Sequence, residues 1–333
     1  MYSVWRRAVC LALAALLFSA GAAWCQGKAY PTKPIDVIVP WAPGAGTDIS
    51  GRLVATYASK KFGVPVNVVN ITGASGITGI SHVLKAKPDG YTLLTDGNAM
   101  SSFLFATRTD LPMKLEDRTY IARATVDWLY FFANIDSGWK TLDDALKVLR
   151  SRPEDFRWGA GAYASSPMFS QVALFQSAGI DMNTIKKSKM VVFEKGNTPS
   201  LQACITGDVQ FAVGWATDVE PTLATKRVRV LAVNAPERTK EYPDVPTVKE
   251  LGCVGPQLMV WYGLSGPKGI PDAAVKRWDD LIRGAMNDPE AQAAASKLKK
   301  VWAYLPANEC KAFVLKEYQH VVPIATELGL RAK

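Results

Sequence analysis

Two glycine-rich turns, each between an apolar strand and a helix, are the segments whose residue types suggest ligand chemistry. Residues 41–48 read WAPGAGTD, and residues 72–79 read TGASGITG. A helix N terminus carries backbone N–H groups without partners, and these groups favour an anion. Neither turn contains Lys, Arg or His. The two turns therefore predict a site that holds a carboxylate through neutral donors and does no chemistry on it.

Sequence motifs of known enzymes do not fit either turn. The first turn lacks the third glycine of the dinucleotide-binding fingerprint, because Ile49 occupies that place. The second lacks both the lysine of a phosphate-binding loop and the spaced glycine of a nucleophile elbow. The two histidines, His82 and His320, fall in predicted helices, where packing or surface roles are usual. We predict a protein that is not an enzyme, with no catalytic residue, no metal site and no cofactor.

The elements that must position these turns alternate between strand and helix. Residues 35–39, 64–69 and 91–94 form predicted strands with helices between them, which indicates a parallel sheet covered on both faces. Residues 120–134 are rich in β-branched and aromatic types and predict one long strand. Further predicted strands follow at 157–161, 190–193, 210–213 and 228–233, and helices at 271–287, 289–299 and 307–327 close the chain.

This order predicts an α/β protein of two mixed α/β domains joined by a hinge. The chain leaves one domain, builds a second and returns, and two connections of this kind make a hinge with a cleft. We expect residues 24–127 with 237–333 to form the first domain and residues 128–236 to form the second.

We expect the ligand-binding residues to lie in the loops that face the predicted cleft, because open α/β sheets bind ligands at the carboxyl ends of their strands. Loops rich in Gly, Ser, Thr and Asn follow strands of both domains and supply neutral donors. The candidate residues are Trp41, Ala42, Gly44, Ala45, Gly46, Thr47, Asp48, Gly73, Ala74, Ser75, Gly76, Thr78, Asn98, Tyr163, Ala164, Ser165, Ser166, Asn197, Thr198, Trp215, Thr217 and Asp218.

Several candidates also have structural interpretations that stay open. Asp48 falls in the first turn of a helix, where a carboxylate commonly caps free N–H groups. Asp96 and Asp218 end strands, where bonding to their own turn is common. Trp41 and Trp215 are placed either to line a pocket or to fill the core. Glycine also serves any tight turn that needs a positive φ.

The N terminus carries the features of a secretory signal peptide over residues 1–23. Arg6 and Arg7 precede an apolar run at 8–20, which the small residues 21–23 follow. Cleavage after Ala29 and retention as an anchor are alternatives. Cys25 suggests a lipoprotein, but the bulky Trp24 before it disfavours lipidation. We expect export, for instance to a bacterial periplasm.

The net charge of +9 on 333 residues is spread along the chain, so we predict no nucleic-acid partner. We also expect a monomer. Cys204, Cys253 and Cys310 are widely separated and form no metal-binding spacing. In an oxidising compartment Cys253 and Cys310 could pair, and free thiols are the alternative.

The motifs of the chain, taken together, resemble those of the substrate-binding proteins of tripartite tricarboxylate transporters, also called the Bug family. The likeness covers nearly the whole chain beyond the signal peptide. The segments that carry it are 30–35 (YPTKPI), 39–48 (VPWAPGAGTD), 70–79, 87–94 (KPDGYTLL), 195–199 (KGNTP), 242–247 (YPDVPT) and 261–264 (WYGL).

This resemblance implies a periplasmic binding protein of the two-lobed type II, or Venus-flytrap, class. It implies a small organic carboxylate held against the two first-lobe glycine turns, and delivery to a permease with a large and a small subunit. Trp41, Ala45, Thr72 and Ser75 depart from the residues common in the family, so the identity of the carboxylate stays open. A signalling receptor and an exported α/β hydrolase are the alternative functions.

Overall fold

The computed structural model describes residues 30–194, 196–255 and 257–331. The predicted signal peptide and Cys25 lie outside the described residues, as does Lys195. The described strands, in chain order, are β1 (Ile35–Val39), β2 (Val66–Asn70), β3 (Thr92–Gly97), β4 (Arg118–Asp127), β5 (Leu129–Asn134), β6 (Arg157–Ala160), β7 (Lys189–Val192), β8 (Phe211–Trp215), β9 (Val228–Asn234), β10 (Val260–Pro267) and β11 (Val301–Pro306).

The helices lie between these strands and cover both faces of each sheet. They are α1 (Gly46–Phe62), α2 (Ile77–Leu84), α3 (Ser102–Thr107), α4 (Leu142–Ser151), α5 (Ser166–Ser177), α6 (Met182–Lys187), α7 (Asn197–Thr206), α8 (Ala216–Ala224), α9 (Asp272–Ala285), α10 (Pro289–Lys297) and α11 (Ala307–Glu327).

The first lobe is built on a six-stranded sheet of order β11-β4-β10-β3-β1-β2. β1 runs parallel to both β2 and β3, as its largely apolar sequence predicts, and all of its residues except Asp36 are buried. β10 enters antiparallel between β3 and β4, and β11 pairs antiparallel with β4 at the edge. The sheet is therefore mixed, and the expectation of a purely parallel arrangement in this lobe holds only for β1, β2 and β3.

The second lobe is a five-stranded sheet of order β7-β6-β8-β5-β9. β6 is parallel to β7 and β8, while β5 lies antiparallel between β8 and β9. The two sheets confirm the predicted two-lobed α/β fold. The domain boundaries remain predictions. Tyr242 and Val245, from the connector after β9, pack on the core of the second lobe, which favours placing the connector there.

The chain crosses between the lobes twice, from β4 to β5 and from β9 to β10. The prediction of one long strand over 120–134 was wrong, because β4 and β5 belong to different sheets and only Trp128 separates them. Since β10 is antiparallel to both β3 and β4, the carboxyl ends of β1 to β4 share one edge. The first crossing therefore joins that edge to the edge where β8 ends, opposite Leu129.

The last helix and one apolar cluster tie the lobes together beside the crossings. Glu317, near the middle of α11, bonds to first-lobe residues, whereas Val321 and Ile324 pack in the core that also holds Phe169 of the second lobe. Phe103 of α3 packs against Phe169, with ring centroids 4.8 Å apart. This side of the molecule is closed by apolar contact, and the predicted cleft loops lie along the shared strand edges.

Candidate functional site

The first glycine turn leaves the N terminus of α1 open. No side chain caps this helix at Ala45, and Gly44 takes the left-handed φ of +83° that the turn requires. The side chain of Asp48 turns back instead, and its Oδ2 accepts the N–H of Gly44 at 2.9 Å. The turn is thus fixed from within, and the first N–H groups of α1 keep no side-chain acceptor.

Asp48 is a structural anchor of this turn. Its Oδ2 also accepts from Nε of Arg52, and its Oδ1 accepts from the amide of Asn70, both at 2.9 Å. The Asn70 amide donates to the Trp41 carbonyl as well, again at 2.9 Å. Burial acts to raise the pKa of Asp48, but these hydrogen bonds outweigh it, and the pKa lies below the usual value. The Asp48 carboxylate therefore braces the turn before α1 and does not cap the N–H groups of the helix itself.

The second glycine turn has a positive φ at four consecutive residues, and the two that are not glycine, Ala74 and Ser75, are strained there. Gly73, Ala74, Ser75 and Gly76 have φ angles of +128°, +48°, +55° and +90°. Residues other than glycine rarely adopt this region, at a cost of about 1–2 kcal/mol each. Strain of this kind persists where surrounding structure enforces it, and it is concentrated at ligand sites. No side chain caps α2 at Gly76, but the Ile77 N–H donates to the Ala74 carbonyl and the Thr78 N–H donates to the Gly73 carbonyl at 3.4 Å, so this helix start is only partly open.

The two turns lie side by side because β1 and β2 are neighbours, with Val39 opposite Asn70. A Cβ on Gly76 would lie 3.8 Å from the Trp41 ring, so the indole fills the space between the turns. Trp41 is half-buried, and its Nε1 approaches Met100 Sδ at 2.9 Å. This position fits both interpretations of Trp41, because the ring packs on the core of the first lobe and also borders the two glycine turns.

A buried cation lies beneath the first turn, which no pattern in the sequence indicated. The Lys300 ammonium would lie 3.6 Å from a Cβ on Gly46, and the Tyr262 hydroxyl lies closer still. Lys300 donates to Asp127 Oδ2 at 2.5 Å, and Tyr262 donates to the same oxygen at 3.2 Å. Burial raises the pKa of Asp127, against the effect of the Lys300 ion pair. The close contact with Tyr262 explains why position 46 requires glycine.

Asn98 follows β3 at the same edge, but its side chain points into the protein. Its amide nitrogen donates to the Met259 carbonyl at 2.6 Å and to Glu317 Oε1 at 3.2 Å. Glu317 also accepts from Ser102 and, at 3.0 Å, from Trp261 Nε1. This network holds the loop after β3 against α11. The Asn98 side chain therefore positions this loop at the edge of the sheet.

The second-lobe candidates lie together where β6, β7 and β8 end. The Asn197 amide donates to the Val213 carbonyl at 2.8 Å, and a Cβ on Gly161 would lie 3.5 Å from the Asn197 nitrogen. Asn197 Oδ1 is buried without a hydrogen-bond partner among the described residues. Ala164 has a φ of +59°, and Tyr163 is 53% exposed at the tip of its loop. Ser166, Thr198 and Thr217 occupy the first positions around the starts of α5, α7 and α8.

Two of these candidates act on their own helices. Ser165 caps α5 by accepting the Met168 N–H at 3.4 Å, and Asp218 accepts the Trp215 N–H at 2.9 Å. Burial raises the pKa of Asp218. Trp215 packs against the second-lobe core and is half-buried. The turns of each lobe are thus gathered at one edge, and the ligand contacts of all these residues remain predictions.

The family model for the tripartite tricarboxylate transporter family receptor matches residues 51–330. The chain belongs to this receptor family. The resemblance seen in its motifs is thereby confirmed, and it rests on more than the first turn, which precedes the matched range.

Two curated relatives agree with this membership. The UPF0065 protein in the TAR-I ttuE-ttuC' intergenic region of Agrobacterium vitis is 31% identical, over 78% of this chain and 73% of that protein. Protein BugT of Bordetella pertussis is 26% identical, over 94% of each.

Solved structures show that the receptor has the fold of periplasmic binding proteins. One described as the structure of a periplasmic transporter is 28% identical, with a TM-score of 0.69 over 91% of this chain and 99% of the other. MatC from Rhodopseudomonas palustris with bound malate is 24% identical, with a TM-score of 0.66 over 89% and 99%. R. palustris Rpa4515 with adipate is 22% identical, with a TM-score of 0.71 over 90% and 98%.

The cysteines and helices of the described residues bear on two further expectations. Cys204, Cys253 and Cys310 are buried and free, so the considered pairing of Cys253 with Cys310 does not occur in this structure. The two thiols lie in different apolar clusters, Cys253 with the second-lobe core and Cys310 with the first. Among the helices of the described residues, none has the length and apolar character needed to cross a membrane.

Proposed function

We propose that this receptor captures a small organic carboxylate between its lobes and delivers it to the membrane subunits of a tripartite tricarboxylate-type transporter. The observation that carries the proposal is the pair of helix starts, α1 and α2, held side by side on neighbouring strands. Each lacks a side-chain cap, and the second is held in a strained conformation. Helix N termini bind anions, and strained backbone is concentrated at ligand sites.

The carboxylate is supported by the chemistry of the donors. Hydrogen bonds from N–H groups to a charged acceptor are shorter and about twice as strong as bonds between neutral groups. The helix dipoles of α1 and α2 add a favourable potential near their N termini. Relatives of the same fold bind malate and adipate, which are dicarboxylates of different length. We extend this class to the present chain.

The half-buried Trp41 ring favours a ligand with an apolar or aromatic body. It borders both turns, so a carboxylate bound there places its neighbouring carbons against the indole. The second-lobe loops around Asn197 and Asp218 then meet the far end of the ligand when the lobes close. Closure that buries the ligand selects the bound form, which the permease recognises.

The remaining expectations form part of the proposal. The signal peptide over residues 1–23 would export the chain to the periplasm, where it acts as a monomer. The large and small permease subunits would be its partners. We keep residues 24–127 with 237–333 as one lobe and residues 128–236 as the other. The packing of Tyr242 and Val245 favours moving the connector after β9 to the second lobe.

Substitution of Ser75 tests the site while keeping the fold. Ser75 is exposed with a φ of +55°, a conformation that Asp and Asn tolerate. Ser75→Asp puts a negative charge into the turn, whereas Ser75→Asn is the neutral control of the same size. We expect calorimetric titration with malate, adipate and benzoate to find at least one ligand. For that ligand we expect affinity to fall at least tenfold in Ser75→Asp and less than threefold in Ser75→Asn.

Two results would contradict the proposal. One is equal affinity of both variants and the parent, which would move the carboxylate away from this turn. The other is that no carboxylate binds while a neutral or cationic solute does. Native mass spectrometry of freshly purified protein identifies any ligand that is retained, and its mass decides between these outcomes independently of the substitutions.

A further inference from the structure

A cavity of about 1040 Å³ opens between the lobes, and Lys300, the lysine beneath the first glycine turn, is part of its lining. The predicted ligand-binding residues all lie in the described part of the chain, and none of them lines it. Its walls come from Met286, Ser296 and Trp302 on the first lobe and from Tyr130 and the connector after β9 on the second. This volume lies at the upper end of the range, about 300–1,000 Å³, in which proteins hold small molecules.

The cavity wall contains an arginine with no acidic partner. Arg123, on β4, donates from Nε to the Ala303 carbonyl at 2.8 Å, and its Nη1 lies 3.7 Å from Met259 Sδ. Its guanidinium lies 5.2 Å from the centre of the Phe313 ring. Within the described residues, no carboxylate lies within ion-pair distance of it. Burial lowers the pKa of Arg123. A half-buried cation without a partner is costly, and an anion would relieve that cost.

Among the described residues, the two fully buried cations are each paired with a carboxylate, whereas the half-buried Arg123 bonds to a carbonyl, as the half-buried Arg331 also does. Arg118 bonds to Asp96 at 2.8 Å, and Lys300 bonds to Asp127 at 2.5 Å. Arg118 and Lys300 thus have the carboxylate that Arg123 lacks. The lining also favours an anion by its charge, since six of its side chains are Arg or Lys and two are Glu.

Aromatic rings supply the apolar part of the wall. Trp128, Tyr130 and Trp302 all line the cavity. Flat rings beside a cation are the arrangement that proteins use for aromatic ligands carrying a charged group. Gln257 Oε1, also from the lining, is buried and lacks a hydrogen-bond partner in the described structure.

We propose that this cavity is a second ligand site, which takes a small aromatic anion with its charged group on Arg123. Because both lobes contribute walls, the size of the cavity depends on the angle between the lobes. A ligand there is therefore coupled to closure over the glycine turns, and the coupling acts equally in both directions. The cavity reaches Lys300 beneath the first turn, but none of the predicted carboxylate-binding residues lines it, so this proposal does not depend on the carboxylate site.

The test uses 8-anilinonaphthalene-1-sulfonate, a fluorescent aromatic anion, on the folded full-length mature protein. We expect one dye per chain. In Arg123→Gln the dissociation constant rises at least tenfold, whereas in Arg229→Gln it changes less than twofold. Arg229 is the matched control, because it too donates to a carbonyl, that of Trp139 at 2.8 Å, and lies outside the cavity lining.

A second pair of variants keeps the test decisive if Arg123→Gln does not fold. Ser296→Trp fills the cavity from the exposed side of α10, and Lys297→Trp places the same ring one residue further, outside the lining. Ser296→Trp should abolish the dye signal, and Lys297→Trp should preserve it.

The glycine-turn variant separates the two sites. Ser75→Asp should leave dye binding unchanged, and loss of dye binding in that variant would place the dye in the carboxylate site and overturn the proposal. Equal binding by the Ser296→Trp and Lys297→Trp variants, or several dyes per chain insensitive to Arg123, would overturn it as well.

Discussion

Replacement of Glu317 by glutamine should change how the stability of this protein depends on pH. Glu317 is buried on α11 against the first lobe and accepts hydrogen bonds from Asn98, Ser102 and Trp261. Burial raises its pKa from 4.5 to about 7, although these bonds oppose the rise. Glu317→Gln keeps the shape of the side chain and removes its titration.

The magnitude follows from the pKa difference. One pKa unit corresponds to about 1.36 kcal/mol, so a folded pKa of about 7 against 4.5 corresponds to about 3 kcal/mol. The folded state binds the proton more tightly than the unfolded state. The contribution is therefore fully present below pH 4.5, and it is lost as the pH rises through about 7.

The assay is urea denaturation of both proteins from pH 5 to pH 8. The free energy of unfolding of the parent, relative to that of Glu317→Gln, should fall by about 2.5 kcal/mol over this range, because part of the contribution is already lost at pH 5. Other titrating groups are common to both proteins and cancel in the difference. Glu309→Gln, at an exposed position on the same helix, is the control and should run parallel to the parent.

A constant difference between the parent and Glu317→Gln across this range would refute the reasoning. It would mean that the carboxyl keeps one protonation state throughout, and that the buried network beside Asn98 stabilises the charged form as well as water does. A difference of opposite sign would mean that the network favours the carboxylate over the acid.

Two further predictions concern the first turn and the thiols. Asp48→Ala removes the acceptor of both the Gly44 N–H and the Asn70 amide, and urea denaturation should show a loss of about 2–3 kcal/mol; a loss below about 0.5 kcal/mol would contradict the anchoring role. Burial raises the pKa of Cys204 and Cys310 to about 12 and also raises that of Cys253. Iodoacetamide at pH 8 should modify them only after unfolding in guanidinium, and a disulfide-linked peptide pair would contradict the free state.

Local patterns were sufficient to predict most elements of this fold. The apolar strands before both glycine turns are β1 and β2, and the predicted last helix over residues 307–327 has the bounds of α11. These segments carry their own signals, such as buried β-branched runs and helical periodicity. The gathering of the turns at one edge also followed from the sequence, because strand–turn–helix units place their turns at the carboxyl ends of strands.

The break between β4 and β5 at Trp128 could not be predicted in the same way, although we placed a domain boundary between residues 127 and 128. Residues on both sides of it are β-branched or aromatic, and neither glycine nor proline interrupts the run. β4 and β5 separate because their partners, β10 and β8, belong to different sheets. The sheet that each strand joins is thus decided by strands far along the chain. A local pattern therefore predicts β4 and β5 as one strand.

β11 was also missed, and with it the position of Lys300. Its six residues stand between two strong helices, and β4 provides the edge that makes them a strand. Lys300 and Asp127 are 173 residues apart, so their ion pair has no local signature. Asn70 was noted as part of a motif, but its role in joining the first turn to β2 depends on the pairing of β1 with β2.

The pairing of Lys300 with Asp127 bears on how the receptor releases its ligand. An unpaired lysine beneath Gly46 would attract a carboxylate strongly, but it would be left as a buried free charge whenever the site was empty. Here Asp127 neutralises the lysine, and the first turn presents only N–H groups. Water satisfies such groups at little cost when the ligand leaves. The empty and occupied forms therefore stay close in free energy, which suits a receptor that must give up its ligand. Asp127→Asn should bind carboxylates more tightly than the parent and release them more slowly.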